Sequence, residues 1–318
     1  MTVHELTGLD GSNPLAFMAA LGAMDVLSNQ HPDAPGIYLH WARHDVWTPV
    51  LTLPDGIELV ETIWRDLEAW RESAPELDLK YEKQTAKSLR FIQDLKPPPE
   101  VFRDFATAAA QTAQQSGHRR HADYAAAYAA AHPNGDDPLG VDHGAQTKPT
   151  AFHFTAGQQH FVTMVRELCA GLERAHFEEA LFGPWQYASA LPILRWDVIG
   201  ERLYALMAGN PSSAGNKAQG TAGADWLAFR SLVYFPTALM NSRIATTGFS
   251  GRGNTMTFRW PLWSAPTDAN TIRSIVALSH LDKMSLSERG ARGITTVLRS
   301  EAQRSTQGYG NFAPASVE

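Results

Sequence analysis

The chain has 318 residues, of which 44% are apolar, 10% aromatic and 19% charged, with a formal net charge of −6. That composition excludes the disordered class and supplies about two domains, or one large one, with core material. A single cysteine, Cys169, excludes an internal disulfide and points to a reducing compartment.

The N-terminal stretch MTVHELTGLDG lacks the basic, then apolar, then small-residue order of a signal peptide. No uninterrupted apolar run approaches the roughly 18 residues a membrane span needs, so a soluble, cytoplasmic protein is expected. Gly8 to Gly22 reads GLDGSNPLAFMAALG. Ser12 or Asn13 can cap a helix there, and Pro14 suits the first helical position, where no N–H is missed. Phe17, Ala20, Leu21, Met24 and Leu27 recur at helical spacing and give one apolar face. Gly22 inside that helix costs about 1 kcal/mol relative to Ala, which suggests close backbone packing against a neighbour.

Residues 36–53 are rich in β-branched and aromatic side chains and break near Arg43 to Asp45, the pattern of a strand pair. Helical periodicity runs from Asp55 to Glu72. Lys96 to Pro99 marks a turn before a helix that starts at Pro99, and the alanine-rich stretch Ala122 to Ala131 reads as helical. His132 to Pro149 is rich in Gly, Pro and Asp, so residues 133–149 are a candidate linker between an N-terminal region (1–132) and a C-terminal α+β region (150–318). Ala151 to Thr155 (AFHFT) looks strand-like, and helices follow from Gln158 to Leu172 and from near Ala175. A second glycine-rich loop, Gly209 to Gly223, precedes a helix from Ala224 to Tyr234. RIATTG and TMTFRWPLW flank a turn at Gly248 to Gly253 as the two arms of a hairpin. A capped helix covers Thr267 to Leu278, and a strand is expected near Gly293 to Arg299. The fold class expected is α+β, with mixed helices and short antiparallel strand pairs.

No stretch presents a complete catalytic set. His40, His44 and Asp45, and the pair His118 and His121, lack the His-Glu-x-x-His order of a zinc protease. No Gly-x-Ser-x-Gly is present, and Cys169 sits in an apolar helical run with no assignable base. Neither a metal nor a cofactor is expected. The Gly209–Gly223 loop could cradle a phosphate with Lys217 as its cation, which would make the chain a phosphate- or nucleotide-dependent enzyme, although it lacks the P-loop order.

Charge is uneven. Residues 242–318 hold nine basic against five acidic residues, a local excess of four on an otherwise acidic chain. Arginines also alternate with aromatics in LRWDVIGERLY, with Arg195 and Arg202, and in FRWPLW, with Arg259 and Trp260. Such pairs can contact phosphates and stack on bases, or the tryptophans can anchor a core beside arginines paired with acids.

Three blocks carry a resemblance. GLDGSNPLAFMAALG, then ALPILRWDVIGERLYAL with Asn210-Pro211, then ADWLAFRSLVYFP leading through TTGF to FRWPLWSAP, together resemble the accessory and large-subunit-like proteins of type I-G (formerly I-U) CRISPR–Cas loci. Some of those occur free and some as an extension of the helicase–nuclease. The resemblance spans most of the chain in order. It implies a non-catalytic subunit or accessory of an RNA-guided defence complex that contacts other CRISPR-associated subunits, guide RNA or target DNA. Arg195, Arg202, Lys217, Arg243, Arg252, Arg259 and Trp260 are the contact residues expected under that reading. With a net charge of −6, phosphate contact has to come from a local patch.

Overall fold

A computed structural model describes residues 1–84, 88–132, 146–155, 157, 159–198, 219–240, 243–304 and 309–318. The class is α+β. Among the described residues the helices are α1 (Pro14–Gln30), α2 (Leu59–Glu72), α3 (Pro99–Ser116), α4 (Arg120–Tyr128), α5 (Phe161–Gly171), α6 (Arg174–Phe182), α7 (Ala222–Arg230), α8 (Ala269–Val276) and α9 (Leu286–Ala291). None is long and apolar enough to cross a membrane.

Among the described residues all strand pairing is antiparallel. β1 (Thr2–Glu5), β2 (Tyr38–Arg43) and β3 (Trp47–Leu53) form one sheet with β3 in the middle. Three two-stranded hairpins follow: β4 (Tyr81–Gln84) with β5 (Leu89–Ile92), β6 (Ala129–His132) with β7 (Gln146–Pro149), and β8 (Thr237–Met240) with β9 (Arg243–Thr246). The largest sheet contains β10 (Phe249–Ser250), β11 (Thr257–Trp263), β12 (Ile294–Arg304), β13 (Gly310–Phe312) and β14 (Ser316–Val317).

α1 starts as its sequence requires. The Asn13 side chain accepts from the Leu15 amide at 3.0 Å, and Pro14 takes the first position. Every residue from Pro14 to Leu27 is buried, so the helix is enclosed on all sides and not on one face only. Two glycines make that possible. A Cβ on Gly22 would overlap the Leu227 carbonyl of α7, and one on Gly223 of α7 would overlap the His176 carbonyl of α6. Three helix backbones therefore meet where a side chain would hold them apart. Residues on both sides of 133–149, from Leu6 to Phe312, share one buried cluster.

The helices are also joined by charge. Arg230, at the end of α7, is fully buried and donates to Asp66 of α2, to Asp25 of α1 at 3.4 Å and to the Tyr124 hydroxyl of α4 at 2.9 Å. Its guanidinium lies 4.9 Å from the centre of the Trp70 ring. Burial pushes the Asp25 carboxyl up to about 6 even though Arg230 opposes the shift.

Three segments differ from the reading of the sequence. The alanine-rich helix stops at Tyr128, because Ala129–His132 pairs with β7 and inter-strand bonds override alanine's helix preference. Ala151 to Thr155 is a buried turn and not a strand. Its carbonyls find donors outside any ladder: Arg304 donates to those of Ala151 and His153, both at 3.0 Å, Trp196 Nε1 to that of Phe152 at 2.9 Å, and the Gly310 amide to that of Phe154 at 3.0 Å. Finally, Arg243–Thr246 does not pair with β11; it turns back on Thr237–Met240, and only Phe249–Ser250 joins β11. The strand expected near Gly293 to Arg299 is present and extends to Arg304.

Candidate cationic cleft and arginine surface

The arginines and the tryptophan singled out from the sequence have different fates. Arg243 opens β9, and Arg252 precedes a short 3-10 turn; both are exposed. Exposed Leu239 and Met240 accompany Arg243 on the β8–β9 hairpin. Arg195 has a positive φ of 66° and lies 4.9 Å from the centre of the Tyr309 ring. Arg259 is held by Glu318, with Nε 2.6 Å from Oε2, and by the Ser250 hydroxyl, so its charge is already answered. Trp260 is 0% exposed, donates from Nε1 to the Gly11 carbonyl at 2.9 Å and stacks on Phe258. Neither face of that ring can reach a base; it anchors the core, and its place among the expected contact residues is corrected accordingly. Arg202, Lys217 and the Gly209–Gly223 loop as far as residue 218 lie outside the described residues.

Part of the basic excess of the C-terminal region is likewise used internally. Arg273 donates to the Val233 carbonyl at 2.7 Å and pairs with Asp123 at 3.3 Å, and Arg289 donates to the carbonyls of Glu318 and Leu281. The histidines weighed as metal ligands are dispersed: His121 lies 3.0 Å from Glu76, and His40 sits on β2 with its pKa lowered by burial. Among the described residues no group of three or more His, Cys, Asp or Glu could hold a metal.

The structure brings other cations together. A cleft of about 580 Å³ is lined by the β4–β5 hairpin through Tyr81, Lys83 and Ile92, by the Lys96–Pro99 turn, by Thr147 of β7, and by His153, Gln159 and His160 ahead of α5. The three consecutive prolines fix the turn that carries Lys96. At its floor the buried His153 Nε2 lies 2.9 Å from Asp94 Oδ1, which also accepts from the Phe161 amide at 3.0 Å. Burial pushes the Asp94 carboxyl up, but the His153 contact and the Phe161 and Leu95 amides outweigh it and hold it below its ordinary value. Burial likewise lowers His153, against the pull of Asp94, and so disfavours its charged form.

Thr155 Oγ1 approaches the same nitrogen, His153 Nε2, at 3.2 Å. A hydroxyl activated by a histidine needs that histidine's other nitrogen on the carboxylate. Here one nitrogen meets both partners, so the trio is a structural brace and not a nucleophile relay. Cys169 is no better placed, since burial pushes its thiol up to about 11.

Lys96 keeps solvent contact, yet the atoms packed around it lower its ammonium from the ordinary value, and Arg304, Lys83 and Lys148 add to that effect. Lys83 and Lys96 thus line the cleft, and Lys148 and Arg304 lie near Lys96, against the two carboxylates Glu82 and Asp94. None of the four is among the contact residues expected from the sequence, where Arg304 enters only the basic excess of residues 242–318 and the three lysines read as separate charges.

The described parts of the three blocks that carry the CRISPR resemblance are also joined, the second block through residues 190–198. Asn13 Nδ2 donates to Asp197 Oδ1 at 2.9 Å, the Leu194 amide donates to Asp225 Oδ1 at 2.9 Å, and Trp260 reaches Gly11. No protein-family model matches this sequence, and no curated protein is significantly similar to it.

Proposed function

We propose that the protein is a non-catalytic subunit or accessory of a type I CRISPR RNA-guided defence complex in the cytoplasm, contacting nucleic acid or partner subunits through an exposed arginine-bearing surface. The observation that carries this reading is the packing of the first and third resemblance blocks with residues 190–198 of the second through Asn13–Asp197, Leu194–Asp225, Gly22–Leu227 and Trp260–Gly11. Blocks distant in sequence that close on one another form a single structural element, and resemblance across all three is then resemblance in a fold core. Exposed Arg243 and Arg252, and the apolar Leu239 and Met240 beside Arg243, supply a surface on which a partner or a strand can dock.

The test is co-expression with the remaining subunits of such a complex, followed by affinity purification and by fluorescence anisotropy with short RNA and DNA at low and high salt. Co-purification weakened by Arg243→Gln with Arg252→Gln is the expected result. Failure to co-purify, together with no binding of either nucleic acid at low salt, overturns the reading.

A further inference from the structure

The cleft at the β4–β5 hairpin has a chemistry of its own, independent of the defence-complex reading. Of its two carboxylates, Asp94 already accepts from His153 and Phe161, which leaves Glu82 as the carboxylate exposed toward it. Lys83 and Lys96 line the cleft, and Lys148 and Arg304 lie close enough to bear on Lys96. Arg304 gives its donors to the carbonyls of Ala151 and His153, which hold the guanidinium in place and leave its charge intact.

Two further atoms point to a ligand. Thr147 Oγ1 and Gln159 Oε1 are shielded from solvent and have no hydrogen-bond partner, and both residues line the cleft. Such orphans are rare in native proteins and are costly while they stay unpaired. A ligand that answers all these groups carries negative charge with several acceptor oxygens, and beside it a hydroxyl donor. The cleft volume falls in the range of small-molecule sites, about 300–1,000 Å³.

We propose that this cleft binds a phosphate group through Lys83 and Lys96, with the Thr147 hydroxyl turning from its shielded position to donate to it and the Gln159 side chain turning to accept a hydrogen bond from a neighbouring hydroxyl of the ligand. A ribonucleotide unit has that chemistry, whether free in solution or as one link of a strand.

Calorimetric titration of the full chain with inorganic phosphate and with adenosine monophosphate, and anisotropy with a short single-stranded RNA at low and high salt, test the proposal. Phosphate and the nucleotide are expected to bind. Lys83→Gln with Lys96→Gln should weaken both by about tenfold or more, since a hydrogen bond to a charged group is worth about 1.5–3 kcal/mol. Thr147→Val should weaken them with no change of charge, and Arg243→Gln with Arg252→Gln, outside the cleft, should leave them unchanged. Circular dichroism melting confirms that each variant is folded. RNA binding that falls in step with nucleotide binding places a strand in the cleft. Nucleotide binding without RNA binding keeps the site and assigns it to a free ligand. If neither phosphate nor nucleotide binds, or the folded lysine double variant binds as the parent does, the proposal is overturned, while co-purification with the complex still decides the separate reading above.

Discussion

Gly22 of α1 and Leu227 of α7 meet backbone to backbone, so that even a single methyl on Gly22 would overlap the Leu227 carbonyl oxygen. Alanine gains about 1 kcal/mol over glycine in an open helix. Here the overlap with a backbone atom outweighs that gain, and Gly22→Ala is expected to cost about 2 kcal/mol net. Urea unfolding measures it; a midpoint equal to or above the parent's contradicts the contact.

Arg230 is the charge that keeps two buried carboxylates, Asp25 and Asp66, compatible with the core. Arg230→Met leaves both without their cation, at a cost of about 3–5 kcal/mol. Adding Asp25→Asn and Asp66→Asn to that variant should recover part of the loss, because the charges left behind are the main penalty. If the triple variant is no more stable than Arg230→Met, lost packing dominates instead.

Stability should also respond to pH through Asp225. Burial pushes its carboxyl up to about 8; the Leu194 amide opposes this and Asp197 adds to it. A carboxyl whose pKa is higher in the folded chain than its unfolded value of 3.8 holds its proton more tightly when folded. Its contribution is full below the unfolded value and declines as pH rises towards 8. Asp25, at about 6, acts in the same direction. Asp225→Asn keeps the acceptor for Leu194 and removes the titration. The stability of this variant relative to the parent should therefore rise between pH 4 and pH 8, by a few kcal/mol. A constant difference across that range contradicts the buried, protonated carboxyl.

Cys169 should be chemically silent. It is 5% exposed, and burial holds its thiol near 11. Thiolate is the reactive form, so a disulfide reagent at pH 8 should label it only after denaturant is added. Rapid labelling of the native protein would show α5 to be loosely packed.

Much of the local structure was legible in the sequence because it depends on neighbouring residues. The Asn13 cap with Pro14, the strand pair around Arg43–Asp45 and the helix after the Lys96–Pro99 turn all rest on contacts within a few positions. The segments misread depend on distant partners. Ala151–Thr155 has the apolar alternation of a strand, but its carbonyls are met by Arg304, Trp196 and Gly310, none of them nearby in sequence. RIATTG and TMTFRWPLW have the composition of two hairpin arms, and composition does not say which strand pairs with which.

The candidate site was less legible still. Arginine beside tryptophan in FRWPLW follows the strand's alternation: Trp260 turns to the core and Arg259 to Glu318. The cleft lysines come from β4 and a proline turn, with Lys148 of β7 and Arg304 at the end of β12 near Lys96. Nothing local to any of them marks it as part of a group.

The complete enclosure of α1 has a consequence for how this protein tolerates change. An amphipathic helix accepts substitutions in a rhythm of three and four residues, as its outer face passes by. With every position from Pro14 to Leu27 buried, no such rhythm is available. A saturation-mutagenesis map of the chain should show an unbroken block of intolerance there, its sharpest point at a glycine. Sequence drift is then displaced to positions outside this helix, such as the open faces of α2 and α3 and the outer hairpins.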